Sequence, residues 1–294
     1  MERRKFIKEL VIGSMAVGFS PRLFAQSGYP ELAVVTGESP EKITRGAVEL
    51  LGGMKRFIGR GDKVIIKPNI GWDRTPDMAA CTNPEIVKAV VTLALEAGAK
   101  EVIVLDHTIN QPKRCYIRSG IQEAAQSAGA RVLLPDEQRL KKVNIKGEWL
   151  KEWEVFVDFL EADKIINMPA TKVHSLSKVT LGMKNWLGAV GGSRNQLHQR
   201  IDEAMVDLAA FFKPALTILD SYRILFRNGP QGGRISDTRL MKTVVAGTDP
   251  VAIDAYGAAF FDFKPQELLF LQLASSRGLG KLDLEKVRIE KRTV

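Results

Sequence analysis

Cysteine and histidine are the scarcest chemistry-bearing residues of this 294-residue chain, which holds two cysteines, Cys81 and Cys115, and three histidines. Two thiols so far apart make neither a CxxC pair nor a four-thiolate ligand set, so no iron–sulfur cluster is expected. The thiols could bridge in an oxidising compartment, but small buried apolar positions are the commoner use and the expectation here. Beyond the N-terminus no apolar run approaches the roughly 20 residues of a transmembrane helix. No basic run is interleaved with aromatics, which argues against nucleic acid as a partner. Repeats and low-complexity tracts are also missing. Aromatics are only 7% of the chain but hydrophobic residues are 45%. A largely aliphatic core is therefore expected, large enough for one α/β unit or for two lobes.

The chain opens with MERRKFIKELVIGSMAVGFSPRLFAQSG. Arg3 and Arg4 precede a short apolar run from Leu10 to Phe19, and small residues follow near Ala25. Residues 1–26 resemble a twin-arginine export signal, too short in its apolar part to span a membrane by itself. The resemblance implies the twin-arginine export machinery as a partner and a periplasmic location, with the segment either cleaved or kept as an anchor. The formal charge of +9 falls to +6 without this segment, because it carries five basic and two acidic side chains. A modest positive charge favours small anionic ligands.

From residue 29 to 294, β-branched runs alternate with helix-length segments. Strands are predicted at Leu32–Val35, Lys63–Lys67, Glu101–Leu105, Arg131–Leu134, Lys164–Met168, Ala215–Leu219 and Thr243–Ala246. That order predicts an α/β fold with a mostly parallel sheet, helices on both faces and the site between two lobes. Ser39, Asn83 and Asp249 each precede a proline, the signature of a capped helix start. A hairpin excursion turning at Lys146–Glu148 marks a soft lobe boundary near 136–160. In such folds ligands bind beyond the carboxyl ends of the strands, where helix N-termini and turn N–H groups converge.

One stretch at those ends stands out, HSLSKVTLGMKNWLGAVGGSRNQLH, from His174 to His198. If Val179–Val190 is helical, Val179, Met183, Trp186 and Val190 form the buried stripe and Lys184 lies off it, beside Thr180 and Gly188. Gly182 and Gly188 each cost about 1 kcal/mol in a helix relative to alanine. Close approach of a ligand or of another backbone, or a break in the helix there, would compensate, and a ligand lying beside Lys184 is the preferred reading. His107 ends a predicted strand, so all three imidazoles and Lys184 are expected to converge on one cavity, for proton transfer or metal binding.

Two resemblances follow from these motifs. VIIKPN, IINMPATKVHSLSKVTLGMKNWLGAVGG, RNGPQGG and GTDPVAIDAYG, in that order, resemble exported members of domain-of-unknown-function family 362. Two departures matter: the cysteine-rich ferredoxin segment of many relatives is absent, and Phe226 and Arg227 stand where an acidic residue usually precedes NGP. The order His107, His174, Lys184, His198, with Arg74 in WDRTP, is similar to the active-site order of the nickel-pincer lactate racemase family. That resemblance implies Lys184 as the tether of a nucleotide-derived cofactor and His198 as a nickel ligand. His107 and His174 would be the proton-transfer pair, and Arg74 would hold a carboxylate.

The sequence thus points to a periplasmic enzyme acting on a small carboxylate-type anion by histidine acid/base chemistry, either a racemase or isomerase or an oxidoreductase. Lys67, Asn69, Arg74, Lys172 and Asn185 are the expected substrate contacts. Lys184, Gly229, Gly232 and Gly233 are the expected cofactor contacts, the glycines as a backbone anion cradle. The cofactor is either a nickel-type metal or a lysine-linked nucleotide. Lys184 is alternatively a Schiff-base nucleophile, if a dry site and cationic neighbours lower its pKa. Two other readings use the same residues: an exported anion- or metal-binding protein without turnover, and an accessory subunit of a periplasmic redox complex.

Overall fold

A computed structural model describes residues 28–294; the export signal expected at 1–26 lies outside the described residues. The strands are β1 (Leu32–Thr36), β2 (Lys63–Pro68), β3 (Glu101–Val104), β4 (Arg131–Val132), β5 (Leu140–Asn144), β6 (Glu152–Phe156), β7 (Lys164–Met168), β8 (Ala170–His174), β9 (Lys178–Thr180), β10 (Leu216–Leu225), β11 (Thr238–Gly247) and β12 (Ile289–Thr293). The α-helices are α1 (Pro40–Leu50), α2 (Pro84–Glu96), α3 (Pro112–Arg118), α4 (Ile121–Ser127), α5 (Val157–Leu160), α6 (Gly182–Asn185), α7 (Ile201–Phe212), α8 (Pro250–Ala258) and α9 (Leu269–Ser276). Ten strands form one sheet in the order β12-β1-β11-β10-β7-β2-β3-β4, with β8 and β9 branching from β10. Six of its nine strand pairings are parallel, so the sheet is mostly parallel but mixed.

The strands alternate residue by residue between two apolar cores. Leu32, Val34, Ile65 and Val245 belong to one core, which is shared with α7, α8 and α9. Ala33, Val35, Val64, Ile66, Val244 and Ala246 belong to the other, which is shared with α1, α2 and α4. Period-2 alternation with both faces covered is why these strands read as continuous hydrophobic runs. Ser39, Asn83 and Asp249 accept backbone N–H groups of α1, α2 and α8, each followed by the expected proline.

Two expectations are corrected. The Ala215–Leu219 and Thr243–Ala246 runs are parts of ten-residue strands, β10 and β11, that pair antiparallel, and β11 pairs antiparallel with β1 as well. Val179–Val190 is not a helix. It holds the end of β9, a single turn (α6) and a 3₁₀ turn at Trp186–Gly188.

The hairpin of β5 and β6 turns at Lys146–Glu148 as expected and is tied to α7. The carboxylate of Asp207 accepts the N–H groups of Glu148, Trp149 and Leu150 at 3.0, 3.0 and 2.7 Å. Val155 and Phe156 of the hairpin are fully buried in the first core. Cys81 and Cys115 are free and buried. Burial pushes their thiols up to about 12 and about 11, so both stay protonated. Among the described residues no helix is long and apolar enough to cross a membrane.

Candidate functional site

A cleft of about 290 Å³ lies beyond the carboxyl ends of β2, β3 and β8, where a parallel sheet of this kind holds ligands. His107, His174, Lys184 and His198 all line it, together with Lys67, Asn69, Lys172 and Asn185. Residues far apart in the chain therefore meet as the sequence predicts. Arg74 does not line the cleft: its guanidinium turns back to the carbonyl of Asp73 at 3.0 Å. Gly229, Gly232 and Gly233 do not line it either, although Pro230 does. A Cβ at Gly229 would lie 2.0 Å from the Val173 carbonyl and one at Gly232 2.8 Å from the Leu225 side chain. These two glycines let the loop pack closely on its neighbours.

The floor of the cleft is a closed polar network. Lys67, 1% exposed, forms an ion pair with Asp106 at 2.7 Å and donates to Asn185 Oδ1 and the Pro68 carbonyl, both at 2.9 Å. Asn185 Nδ2 donates to Asn167 Oδ1 at 2.8 Å and to the Lys67 carbonyl at 3.1 Å. Lys172 donates to Asn69 Oδ1 at 3.0 Å and to the Ala80 carbonyl at 2.5 Å. Burial lowers the pKa of Lys172 to about 8.

Lys184 has a different environment. It is 8% exposed and its Nζ has no hydrogen-bond partner among the described residues. Burial, assisted by the neighbouring charge of Lys172, lowers its pKa to about 7. The expectation that Lys184 lies off the core stripe fits its place on the cleft wall. Of the compensations expected at Gly182 and Gly188, the structure shows a broken helix, with side chains rather than a ligand close to both glycines. A Cβ on Gly182 would lie 2.7 Å from Asp254 Oδ1, and one on Gly188 would lie 1.9 Å from Asp106 Oδ1. Both glycines admit buried carboxylates. Asp254, fully buried, accepts the N–H groups of Gly182 and Met183 at 2.6 and 2.9 Å and so holds the turn that carries Lys184.

The imidazoles are fixed by unlike partners. His107 Nδ1 lies 2.9 Å from the Val190 carbonyl, which can only accept, so Nδ1 carries the proton and Nε2 keeps a lone pair. His174 Nδ1 accepts the N–H groups of Leu176 and Ser177 at 3.1 and 3.4 Å, so its neutral ring carries the proton on Nε2. Burial lowers both pKa values; that of His174 reaches about 3, with the charge of Lys184 adding to the effect. The rings of His174 and His198 stack with centroids 6.4 Å apart. Burial and the charge of Lys184 also lower the pKa of His198.

Sequence reasoning missed Asp106, Arg194, Trp72 and Thr180, all on the cleft wall. Asp106 directly precedes His107 at the end of a predicted strand, which was a usable signal. Arg194 donates to the carbonyls of His107, Leu187 and Thr108 at 3.1, 3.3 and 2.8 Å, tying the 194–200 turn to the end of β3. Nothing in its spacing announced that role.

A family model described as Domain of unknown function (DUF362) matches residues 64–259. The thylakoid-associated protein sll1697 of Synechocystis sp. is 28% identical over 218 residues, which cover 71% of this chain and 66% of that protein. Among solved structures, the lactate racemase apoprotein of Thermoanaerobacterium thermosaccharolyticum superimposes with a TM-score of 0.47 at 13% identity, covering 78% of this chain and 56% of that one. A Thermotoga maritima protein gives 0.42 at 14% identity, with coverages of 81% and 59%. The chain therefore spans less than two thirds of the length of each of these relatives.

Proposed function

The chain belongs to the DUF362 family, whose model spans two thirds of it, and from that premise we propose an enzyme that moves a proton on a small carboxylate held in the cleft. The observation that carries this reading is the pair of opposite tautomers facing one cavity. His107 offers a basic Nε2, while His174 offers a neutral N–H. A base beside a carbon and a neutral imidazole donor beside the oxygen where charge develops are the two groups that proton abstraction next to a carbonyl needs. Their lowered pKa values keep both rings neutral across the physiological range. Charge selects the substrate: Lys172, Lys184 and Arg194 face the cleft, and the carboxylate of Asp106 is already paired with Lys67. An anion completes that balance.

The nickel and nucleotide implied by the racemase resemblance fit in part. The unpartnered amine of Lys184 has the chemistry of an attachment point. No three His, Cys, Asp or Glu side chains among the described residues are placed to hold a metal ion, so His198 does not belong to a three-ligand protein site of these residue types.

The test is deuterium wash-in from D2O at the carbon next to the carboxylate or carbonyl of lactate, pyruvate and related short acids. Exchange is expected with the native protein and a loss of about 10²- to 10⁴-fold with His107→Ala. Acids that bind without exchange would mean a non-catalytic anion-binding protein. Periplasmic residence is part of the proposal and is supported by Arg3 and Arg4. Cell fractionation of Arg3→Lys/Arg4→Lys should show retention in the cytoplasm, and an unchanged distribution would remove it.

A further inference from the structure

Among the described residues, Lys184 Nζ and Thr180 Oγ1 are buried polar atoms of cleft-lining residues with neither a hydrogen bond nor an ion pair, whereas Asp106 Oδ1 is paired with Lys67. Around them the polar groups of the floor are engaged: Lys67 with Asp106, Asn185 with Asn167 and Lys67, Asn69 with Lys172. A buried donor left without an acceptor costs about 1–3 kcal/mol, and a charged one more. The Lys184 nitrogen is therefore tolerable without its extra proton or with a ligand upon it. Lys172, by contrast, uses two of its three donors on protein oxygens, which leaves one for an incoming carboxylate.

We propose that Lys184 is a nucleophile that condenses with the carbonyl of a small 2-oxo acid whose carboxylate is held beside it by Lys172. The proposal rests on the proton-transfer reading of the cleft and names its substrate class. The lone pair of Nζ attacks the carbonyl carbon and the C=O π bond becomes a hydroxyl. That hydroxyl leaves as water on taking a proton, and a protonated imine remains. No oxidant or reductant is consumed. The cationic nitrogen draws electrons through the imine carbon, so a proton on the carbon next to it, C3 of the acid, can pass to His107 Nε2 and leave an enamine. Reprotonation and attack of water on the imine carbon release the 2-oxo acid and restore the amine. A free amine at neutral pH is the prerequisite, and desolvation next to another cation supplies it, lowering the pKa of Lys184 to about 7. The groups acting on this amine are Lys172 and His174 of β8, His198 of the 194–200 turn and Asp202 of α7.

The experiment is borohydride trapping of the full chain with pyruvate, read by intact mass and peptide mapping, beside thermal-shift measurements with pyruvate and with lactate, which has the carboxylate but no carbonyl. Both acids should raise the melting temperature, and pyruvate alone should leave one reduced adduct, on Lys184. The trapping rate should rise about fivefold from pH 6 to 7 and level off above pH 8, where an ordinary lysine would still be gaining free amine. Lys184→Arg should bind both acids and trap neither. Stabilisation by pyruvate without an adduct, or with the adduct on another lysine, overturns the imine and leaves the carboxylate reading standing. No stabilisation by either acid overturns both. A covalent group already on Lys184 in protein from its native host also overturns the imine.

Discussion

Lys67 and Lys184 face the same cleft, and their surroundings treat them in opposite ways. Lys67 keeps a carboxylate at 2.7 Å. Removing that partner by Asp106→Ala should cost about 3–5 kcal/mol in urea denaturation, because an unpaired charge stays buried. Lys67→Met/Asp106→Leu should recover most of the loss. Lys184 has no such partner, and its folded pKa of about 7 lies below the 10.5 of an ordinary lysine. Between those values the unfolded chain binds a proton that the folded chain does not, so stability from this group is complete above pH 10.5 and lost as the pH falls to 7. Lys184→Met should therefore melt higher than the native protein at pH 7, with the advantage shrinking toward pH 10. An equal difference at both values would show that the amine is not perturbed. The meeting of these lysines with the three histidines was legible because Lys67, His107 and His174 lie at or next to strand ends, and Lys184 and His198 lie in the turns that follow. Asp106 had a signal in its place before His107, but its pairing with Lys67 did not show, and Arg194 had none, since these roles depend on which carbonyls and amines fold against them.

At the level of elements, the segment from Val179 to Val190 shows how a pattern can mislead. Its apolar spacing suits a helix, but the backbone at Gly182 and Gly188 must approach two buried carboxylates, and one turn of α-helix is all that survives. Only the glycines hinted at this, and a glycine does not say what comes close to it. Gly188→Ala should cost at least about 1–3 kcal/mol from overpacking against Asp106, with part of the loss returned by Asp106→Ala in the same chain. Asp254→Ala should cost about 3 kcal/mol by stranding two backbone N–H groups. Because that loss also frees the turn, exchange or trapping at Lys184 should fall even in the fraction that remains folded, as measured at a temperature well below melting.

For the whole molecule, the alternation of apolar runs with helical segments was enough to give an α/β sheet with binding loops at the carboxyl ends of its strands. The antiparallel entry of β11 between β1 and β10 was not legible, because a strand buried on both faces looks the same whichever way it runs. The electrostatics of the assembled cleft make a further prediction. Stabilisation by short carboxylates should weaken as salt is raised from 0.01 to about 0.15 M and should survive Arg74→Ala, while Lys172→Gln should reduce it. Loss on Arg74→Ala alone would return that residue to the site.

The sheet is finished at one edge by β12, which lies parallel to β1, with Val294 N donating to the Thr36 carbonyl at 2.9 Å. Among the described residues, the first strand to be made thus waits for a strand about 250 residues further on. Until β12 is made, β1 has an open rim of hydrogen-bonding groups, and pairings this distant in sequence form slowly. Nascent chains stalled before Ile289 should be cut readily by added protease and captured by chaperones, whereas released chains should resist both.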